Sequence, residues 1–468
     1  MRGCVVSRKQ AGVLLHPTSL PNLNGKLGQL NDQAWLFVDW IAESGLSIWQ
    51  VLPLTHTHAD GSPYQAVSAF ALDPKLLADD WQSQLDEQLF ESYLTHPPHW
   101  LEDYVLFVAL REQYGFAPWN EWPDVYKYRE SAALKAFTET FSEQLLLLKK
   151  QQFILAQTWQ KLKKYANKKG IEMFGDMPIF VAFDSADVWA APEQFKLDEK
   201  LNPTVVTGVP PDYFSETGQR WGNPHYNWAV MREDGFQWWQ NRVAEALTQF
   251  DLVRIDHFRG LQASWEIDAE EDTAINGRWV ETPGDELLSH LQEKFPDLPL
   301  VAEDLGIITD EVVALKQKYG LPGMSVLQFG FNGLPDNPHA LDEQVENSVA
   351  YTGTHDNDTT LGWLQSLDKA TRDWVQEQLQ SVAGGVLEQT DLPGAMPWLL
   401  IVAALGSSAQ RVIIPMQDYL MLDSEHRMNI PGTVEGNWSW QFKWSQLPEN
   451  LAKEIHFLVA HSQRLADE

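Results

Sequence analysis

The sequence predicts an α/β chain folded as a (β/α)8 TIM barrel, with helical and loop insertions at its C-terminal mouth and no C-terminal β-sandwich domain. Three observations carry this expectation. About eight short apolar runs of strand length recur along the 468 residues. They are continuous rather than alternating, as strands buried on both faces must be. Amphipathic helical segments stand between several of them, which is the pattern of a parallel sheet wound by crossovers.

In chain order the runs are AGVLLHP, IWQVLPL, IEMFGDMPIFV, DLVRIDHF, LPLVAEDLG, MSVLQFG, SVAYTGTHD and RVIIPMQD, most of them ending in a polar or charged residue. Before the third run, FILAQTWQKLKKYANKKG sets Leu155, Trp159, Leu162 and Ala166 on one stripe, carries lysines in its last turn and stops at Gly170. Before the sixth, TDEVVALKQKYG offers Thr309 as a cap, Asp310 and Glu311 in the first turn, Lys316 and Lys318 in the last, and Gly320 as the stop. After the eighth, EIHFLVAHSQRL reads as an amphipathic helix that leaves no room for a further β domain.

Two intervals are too long for one crossover helix. Residues 55–145 mix turn signals such as DGSPY and HPPHW with amphipathic stretches, which predicts an inserted, mostly helical subdomain. Residues 183–250 hold VTGVPPDYFSETGQRWGNPHYNW, whose proline, glycine and aromatic content makes a shaped loop rather than a helix, hence a loop-rich subdomain with a lid. Both leave the C-terminal ends of strands of a single catalytic barrel covering 1–468, where such barrels keep their sites.

Composition narrows the chemistry. Lys and Arg number 34 against 65 Asp and Glu, and the formal net charge of -31 repels phosphate backbones and acidic membranes, so nucleic acid is excluded as a partner. The single cysteine, Cys4, excludes an intrachain disulfide and a cysteine zinc cluster, and fits a reducing compartment. The start MRGCVVSRKQ has no apolar core, and no apolar run approaches the roughly 18 residues of a membrane span, so a soluble cytoplasmic protein is expected. The 21 tryptophans either line a ligand surface or fill the core; burial preferences favour the core, and Trp238 and Trp239 read as packing. His56 and His58 in THTH lack a cysteine or carboxylate partner and read as a polar loop, and no D-x-[DN]-x-[DN]-G calcium loop occurs. Neither metal nor cofactor is expected.

The stretch LVRIDHFRG puts charges inside a core strand. With a side-chain period of two, Arg254 and Asp256 share one face while Val253 and Ile255 take the other. In a barrel the polar strand ends converge: Asp176, Asp256, Glu303, His355, Asp356 and Asp418. One such aspartate alone is most simply the N-cap of the next helix, and the Arg254–Asp256 pair alone could be a packing ion pair. Several carboxylates around one mouth repel one another and raise each other's proton affinity, which a shared functional site explains better. Two carboxyl groups, one ionised to attack an anomeric carbon and one protonated for the leaving oxygen, are what glycosidic chemistry needs. Arg254 favours the anion on Asp256, and the apolar approach PLVA favours a proton on Glu303.

VRIDHFRG, VAEDLG and YTGTHDN, in that order, resemble the nucleophile, acid/base and third-carboxylate regions of the α-amylase-like clan. LLHPTSLP, WQVLPL, SPYQAVSAFALDP, GDMPIFVA, DVWA, GVPPDYFSETGQRWGNPHY, QFGF and PGTVEGNW narrow the resemblance to the amylomaltase, or 4-α-glucanotransferase, family from about Gly12 to Trp440. It implies Asp256 as nucleophile, Glu303 as acid/base and Asp356 as the carboxylate that grips sugar hydroxyls. It further implies Arg254, His355 and Asp176 at the donor subsite, with Tyr64, Tyr213, Phe214, Arg220, Trp221 and Asn223 around the glucan groove. The partners implied are α-1,4-glucans and maltooligosaccharides. THTHADG stands where the family has a glycine-rich GPTGYGD-like turn, so the mouth differs there. A hydrolase with the same carboxylates, or a silent glucan-binding barrel using its aromatics as platforms, are the alternatives.

Overall fold

In a computed structural model, which describes residues 8–22, 24–211, 215–334 and 336–466, every one of the eight apolar runs contains a strand. Among the described residues twelve strands form: β1 (Gln10–Leu14), β2 (Ile48–Gln50), β3 (Glu172–Pro178), β4 (Val205–Val209), β5 (Gln219–Pro224), β6 (Leu252–Asp256), β7 (Ala263–Asp268), β8 (Gly277–Glu281), β9 (Leu300–Ala302), β10 (Gly323–Val326), β11 (Ser348–Tyr351) and β12 (Arg411–Pro415). Eight of them make one parallel sheet in the order β10-β11-β12-β1-β2-β3-β6-β9. The outer pair meet where the Ala302 N–H donates to the Pro322 carbonyl at 2.8 Å, which closes the ring into the predicted TIM barrel.

Side-chain parity sorts the apolar residues into two cores. Leu14, Ile48, Phe174, Leu252, Val301, Val349 and Ile413 pack together inside the barrel, while Val13, Trp49, Val253, Ile255 and Ala302 face the surrounding helices. Leu252 thus fixes the parity of β6: Arg254 and Asp256 point inward with it, and Val253 and Ile255 point outward. The tryptophans mostly fill the outer core. Trp49, Trp119, Trp159, Trp189, Trp239 and Trp398 are fully buried, and Trp238 packs against Tyr226 with ring centres 5.5 Å apart.

The helix Ser142–Lys168 buries Leu155, Trp159, Leu162 and Ala166 and ends before Gly170, whose φ of 77° reverses the chain into β3. The helix Asp310–Lys318 stops before Gly320 as expected, but Thr309 occupies the cap position without a side-chain cap bond. No helix among the described residues is long and apolar enough to cross a membrane.

Between β2 and β3 lie the helices Glu87–Thr95, Leu101–Gln113 and Ser131–Thr140. Between β3 and β6 the chain departs from the loop expected there. β4 and β5 pair antiparallel, and β7 and β8 from the next connection extend them to a four-stranded sheet in the order β5-β4-β7-β8. The period-two signal was hidden because Gly208 and Gly222 interrupt it and because one partner of β4 is β7, more than fifty residues away. Gly208 is required: a Cβ there would lie 2.1 Å from the Gln219 carbonyl oxygen.

Candidate active site

The inward face of β6 begins the site. Arg254, 5% exposed, donates from Nη1 to Asp176 Oδ2 at 2.6 Å and from Nη2 to Asp256 Oδ1 at 2.7 Å. Asp176 is its register partner on β3, so the ladder itself brings this ion pair together. The Tyr64 hydroxyl donates to the same Asp176 oxygen at 2.6 Å, and Arg254 Nε rests on Met324 Sδ at 3.4 Å.

The second carboxyl group comes from the neighbouring strand. β6 and β9 pair through Ile255 and Ala302, so Asp256 and Glu303 leave the sheet one step later, side by side on the inner face. His257 then turns into the left-handed region, with φ of 53°, which aims its N–H at Glu303 Oε2 at 2.6 Å. Leu305 N–H donates to Oε1 at 2.8 Å, and the Glu303 backbone exchanges bonds with Ile255 and Phe258, each 3.0 Å.

A third group faces these two. His355 stacks on Tyr64 with centroids 5.1 Å apart and planes 8° from parallel, and its Nε2 lies 3.4 Å from Asp356 Oδ1. Asn429 Nδ2 donates to Asp356 Oδ1 at 2.7 Å, and Arg427 Nη2 donates to the Asp356 carbonyl at 2.9 Å. Trp438 completes the ring cluster, 5.8 Å from Tyr64 and 6.0 Å from His355.

Burial dominates the electrostatics. It pushes Asp256 up to about 8, opposed by Arg254 and reinforced by Asp176, Glu303 and Asp356. Its side chain keeps 28% exposure toward the cleft, so solvent relieves part of this push. Burial also raises Glu303, against Arg254 and the two backbone donors. Arg254 favours the anion on Asp256, as expected, but desolvation outweighs the guanidinium, and the two neighbouring carboxyl groups titrate as one pair. His257 falls to about 3 and His355 below its usual range, both by burial, so both rings are neutral at pH 7.

The remaining expected residues divide. Trp221 stands edge-on to His257 at 4.8 Å, next to the pair. Arg220 turns back to the Ala269 carbonyl at 3.1 Å. Asn223 is buried, its Oδ1 accepting from Gln65 and Thr207 at 3.3 Å each, so it ties insertion segments together rather than lining a groove. Tyr213 and Phe214 lie outside the described residues. Asp418 does not join the other strand-end acids: its oxygens accept from Thr352 Oγ1 at 2.5 Å and from Thr360 N and Oγ1 at 2.7 Å, locking the helix Thr360–Ser366 to the end of β11. Asp418 is thus a structural tether rather than an N-cap, since Thr359 occupies the cap position of Thr360–Ser366.

Four contributors escaped the sequence reading: His257, Arg427, Asn429 and Trp438. Trp438 lies in the PGTVEGNW run, whose motif was visible but whose ring contact to Tyr64 was not; Arg427 and Asn429 carry no signal, because their value is contact with Asp356 across 71 and 73 residues. In the THTHADG turn, His56 Nδ1 bonds the Tyr104 hydroxyl at 2.9 Å and Thr57 donates to Asp73 from N at 3.0 Å and from Oγ1 at 2.7 Å, which makes the turn a strut between the mouth and the helical insertion.

Comparison with known proteins agrees with this geometry. The family profile described as 4-alpha-glucanotransferase matches residues 15–81 and 78–447. The chain is 41% identical over 498 residues to the 4-alpha-glucanotransferase of Thermus thermophilus, covering 97% of this chain and 99% of that protein. It is 39% identical over 511 residues to the chloroplastic/amyloplastic 4-alpha-glucanotransferase of Solanum tuberosum, covering 98% and 87%. Among solved structures, amylomaltase from Streptococcus agalactiae in complex with acarbose superposes with a TM-score of 0.92 at 32% identity, over 98% of this chain and 100% of that one. With a barrel that brings two carboxyl groups together and relatives matched nearly end to end, the chain belongs to the 4-alpha-glucanotransferase, or amylomaltase, family.

Proposed function

We propose that this protein transfers α-1,4-glucan segments between maltooligosaccharides by retaining double displacement, with Asp256 as nucleophile, Glu303 as acid/base and Asp356 holding sugar hydroxyls. The observation that carries the reading is the side-by-side exit of Asp256 and Glu303 from paired strands, with Arg254 bonded to the first and the His257 N–H to the second. Neighbouring strands run about 4.8 Å apart, which suits the roughly 5–5.5 Å carboxyl separation of a retaining site rather than the wider gap of an inverting one.

A proton shared by the coupled pair belongs on Glu303 when a glucan binds. Moving it there leaves the negative charge on Asp256, in contact with a guanidinium, whereas Glu303 has only neutral N–H donors. Glu303 then protonates the glycosidic oxygen as Asp256 bonds the anomeric carbon. The departing chain leaves, and a 4-hydroxyl of an acceptor attacks as Glu303 takes its proton back, which restores both groups. Asp176 and Tyr64 brace Arg254, and the His355–Tyr64 stack with Trp438 forms a wall against which a sugar face packs.

We assign the 55–145 and 183–250 segments to two subdomains inserted in one catalytic barrel, the second carrying the lid that excludes water, and place the protein in the cytoplasm. Incubation with maltotriose tests the activity. A transferase yields glucose and a ladder of longer chains with constant total reducing ends. Steadily rising reducing ends mean a hydrolase, and an unchanged substrate means a silent binding barrel.

A further inference from the structure

We infer that Arg242 is a positioning residue for this site: it holds the end of β3, and through it the Asp176–Arg254–Asp256 chain, in register with the inserted sheet. Arg242 lies on the helix Gln237–Gln249, outside the barrel, and is only 4% exposed. Its guanidinium donates from Nη2 to the Pro178 carbonyl at 2.5 Å and from Nη1 to the Ile179 carbonyl at 3.1 Å. Nη1 also reaches the Tyr226 oxygen at 3.3 Å, and the Tyr226 hydroxyl donates to the same Ile179 carbonyl at 2.6 Å. Trp238 and Trp239 cover the cation, 5.3 and 5.5 Å from its centre.

These partners stand where the strand leaves the sheet. Pro178 is the register partner of Asp256, and Asp176, two residues earlier, pairs with Arg254. Once the chain passes Pro178 its carbonyls have no ladder to bond to, and a planar cation with several fixed donors is the side chain suited to hold two of them at once. Burying that cation is costly, so its use here marks a place where direction matters. Phe180 follows immediately and packs 6.1 Å from Tyr226, 6.4 Å from Trp221 and 6.4 Å from His257. The clamp therefore sets both edges of the reaction centre: Asp176 on the strand side, and the Trp221–His257 contact beside Glu303 on the lid side. A shift of about 1 Å at such a point costs on the order of a hundredfold in rate without touching the substrate.

The inference rests on the transferase reading, and the parent protein separates the two: no ladder from maltotriose overturns the activity before any variant is made. Given an active parent, kcat, KM and the ratio of hydrolysis to transfer are measured for Arg242→Met, Arg242→Lys and Tyr226→Phe, at a temperature where circular dichroism shows each fully folded. Arg242→Met should lower kcat at least threefold with KM within threefold of the parent and a raised hydrolysis ratio, and Arg242→Lys should recover part of kcat. A kcat in Arg242→Met less than threefold below the parent, with only the melting temperature lowered, overturns the proposal. Should Arg242→Met fail to fold, Tyr226→Phe decides by the same threshold, since it removes a single hydroxyl from the clamp.

Discussion

At Asp256 the demands of folding and of catalysis oppose each other. In the folded protein its carboxyl is pushed up to about 8 from an ordinary value of 3.8, so between those values the folded chain holds a proton that the unfolded chain has lost. Stability is then greatest below about pH 3.8 for this group and declines as pH rises toward 8. Asn keeps the shape and never ionises. Asp256→Asn should abolish turnover, a loss of at least about a thousandfold, leave glucan binding measurable, and raise the melting temperature at pH 7–8 by about 1–3 °C, a gain that shrinks toward pH 4. Calorimetry across that range and a maltotriose assay check it; near-parent rates remove the nucleophile assignment. Arg254 acts in the opposite sense on the same group. Because it lowers the Asp256 value, Arg254→Gln raises it further, and the acid limb of the kcat/KM profile, which reports loss of the anionic nucleophile, should move to higher pH with kcat down by about a hundredfold. An acid limb that stays in place would separate Arg254 from Asp256. The charges of LVRIDHFRG were legible because strand parity is a local rule. The balance between burial and guanidinium was not, because burial depends on what the other seven strands and the insertions place above the residue.

Elements were readable where a repeat governs them. Eight apolar runs, the stripe of Leu155, Trp159, Leu162 and Ala166, and glycine stops at Gly170 and Gly320 all follow from local periodicity. The four-stranded sheet was not readable, since β4 meets β7 only after the chain has passed through β6 in the barrel. Position Gly208 tests how that sheet serves the site. A side chain there meets the Gln219 carbonyl oxygen and, at 2.6 Å, Ile267, so Gly208→Val should part β4 from β5 and displace Trp221, which lies on β5 against His257. The insertion packs around Val206, Ile267 and Ala274, a small cluster of its own apart from the barrel cores. The melting temperature should therefore fall by no more than about 4 °C, while hydrolysis of maltotriose gains on transfer at least threefold as the ring beside the acid/base is lost. An unchanged product ratio would show that Trp221 does not guard the intermediate from water.

Across the whole molecule, one kind of side chain is used at the two ends of the barrel with different consequences. Arg464, fully buried just beyond the terminal helix Leu451–His461, donates to the carbonyls of Leu405 at 2.7 Å, Ser407 at 2.8 Å, and Gln10 and Gln410 at 3.2 Å. Gln10 opens β1 and Gln410 precedes β12, so this cation fastens the β12–β1 seam at the N-terminal face, as Arg242 fastens the end of β3 at the C-terminal face. The two ends of such a barrel divide labour: the C-terminal ends of the strands carry the site and the opposite ends carry stability. Arg464→Met removes the guanidinium bonds to four carbonyls, of which Ser407 keeps Lys9 Nζ at 3.0 Å and Gln410 keeps the Gln10 N–H at 2.8 Å, and should cost about 2–4 kcal/mol. The site lies a strand length away and keeps its ladders, so kcat and KM per folded molecule should stay within twofold of the parent. Denaturant unfolding followed by maltotriose kinetics on the same samples tests the contrast. A loss of kcat at Arg464 as large as at Arg242 would mean that rate follows general stability, and that buried cations at either end of the barrel act on catalysis only by keeping the chain folded.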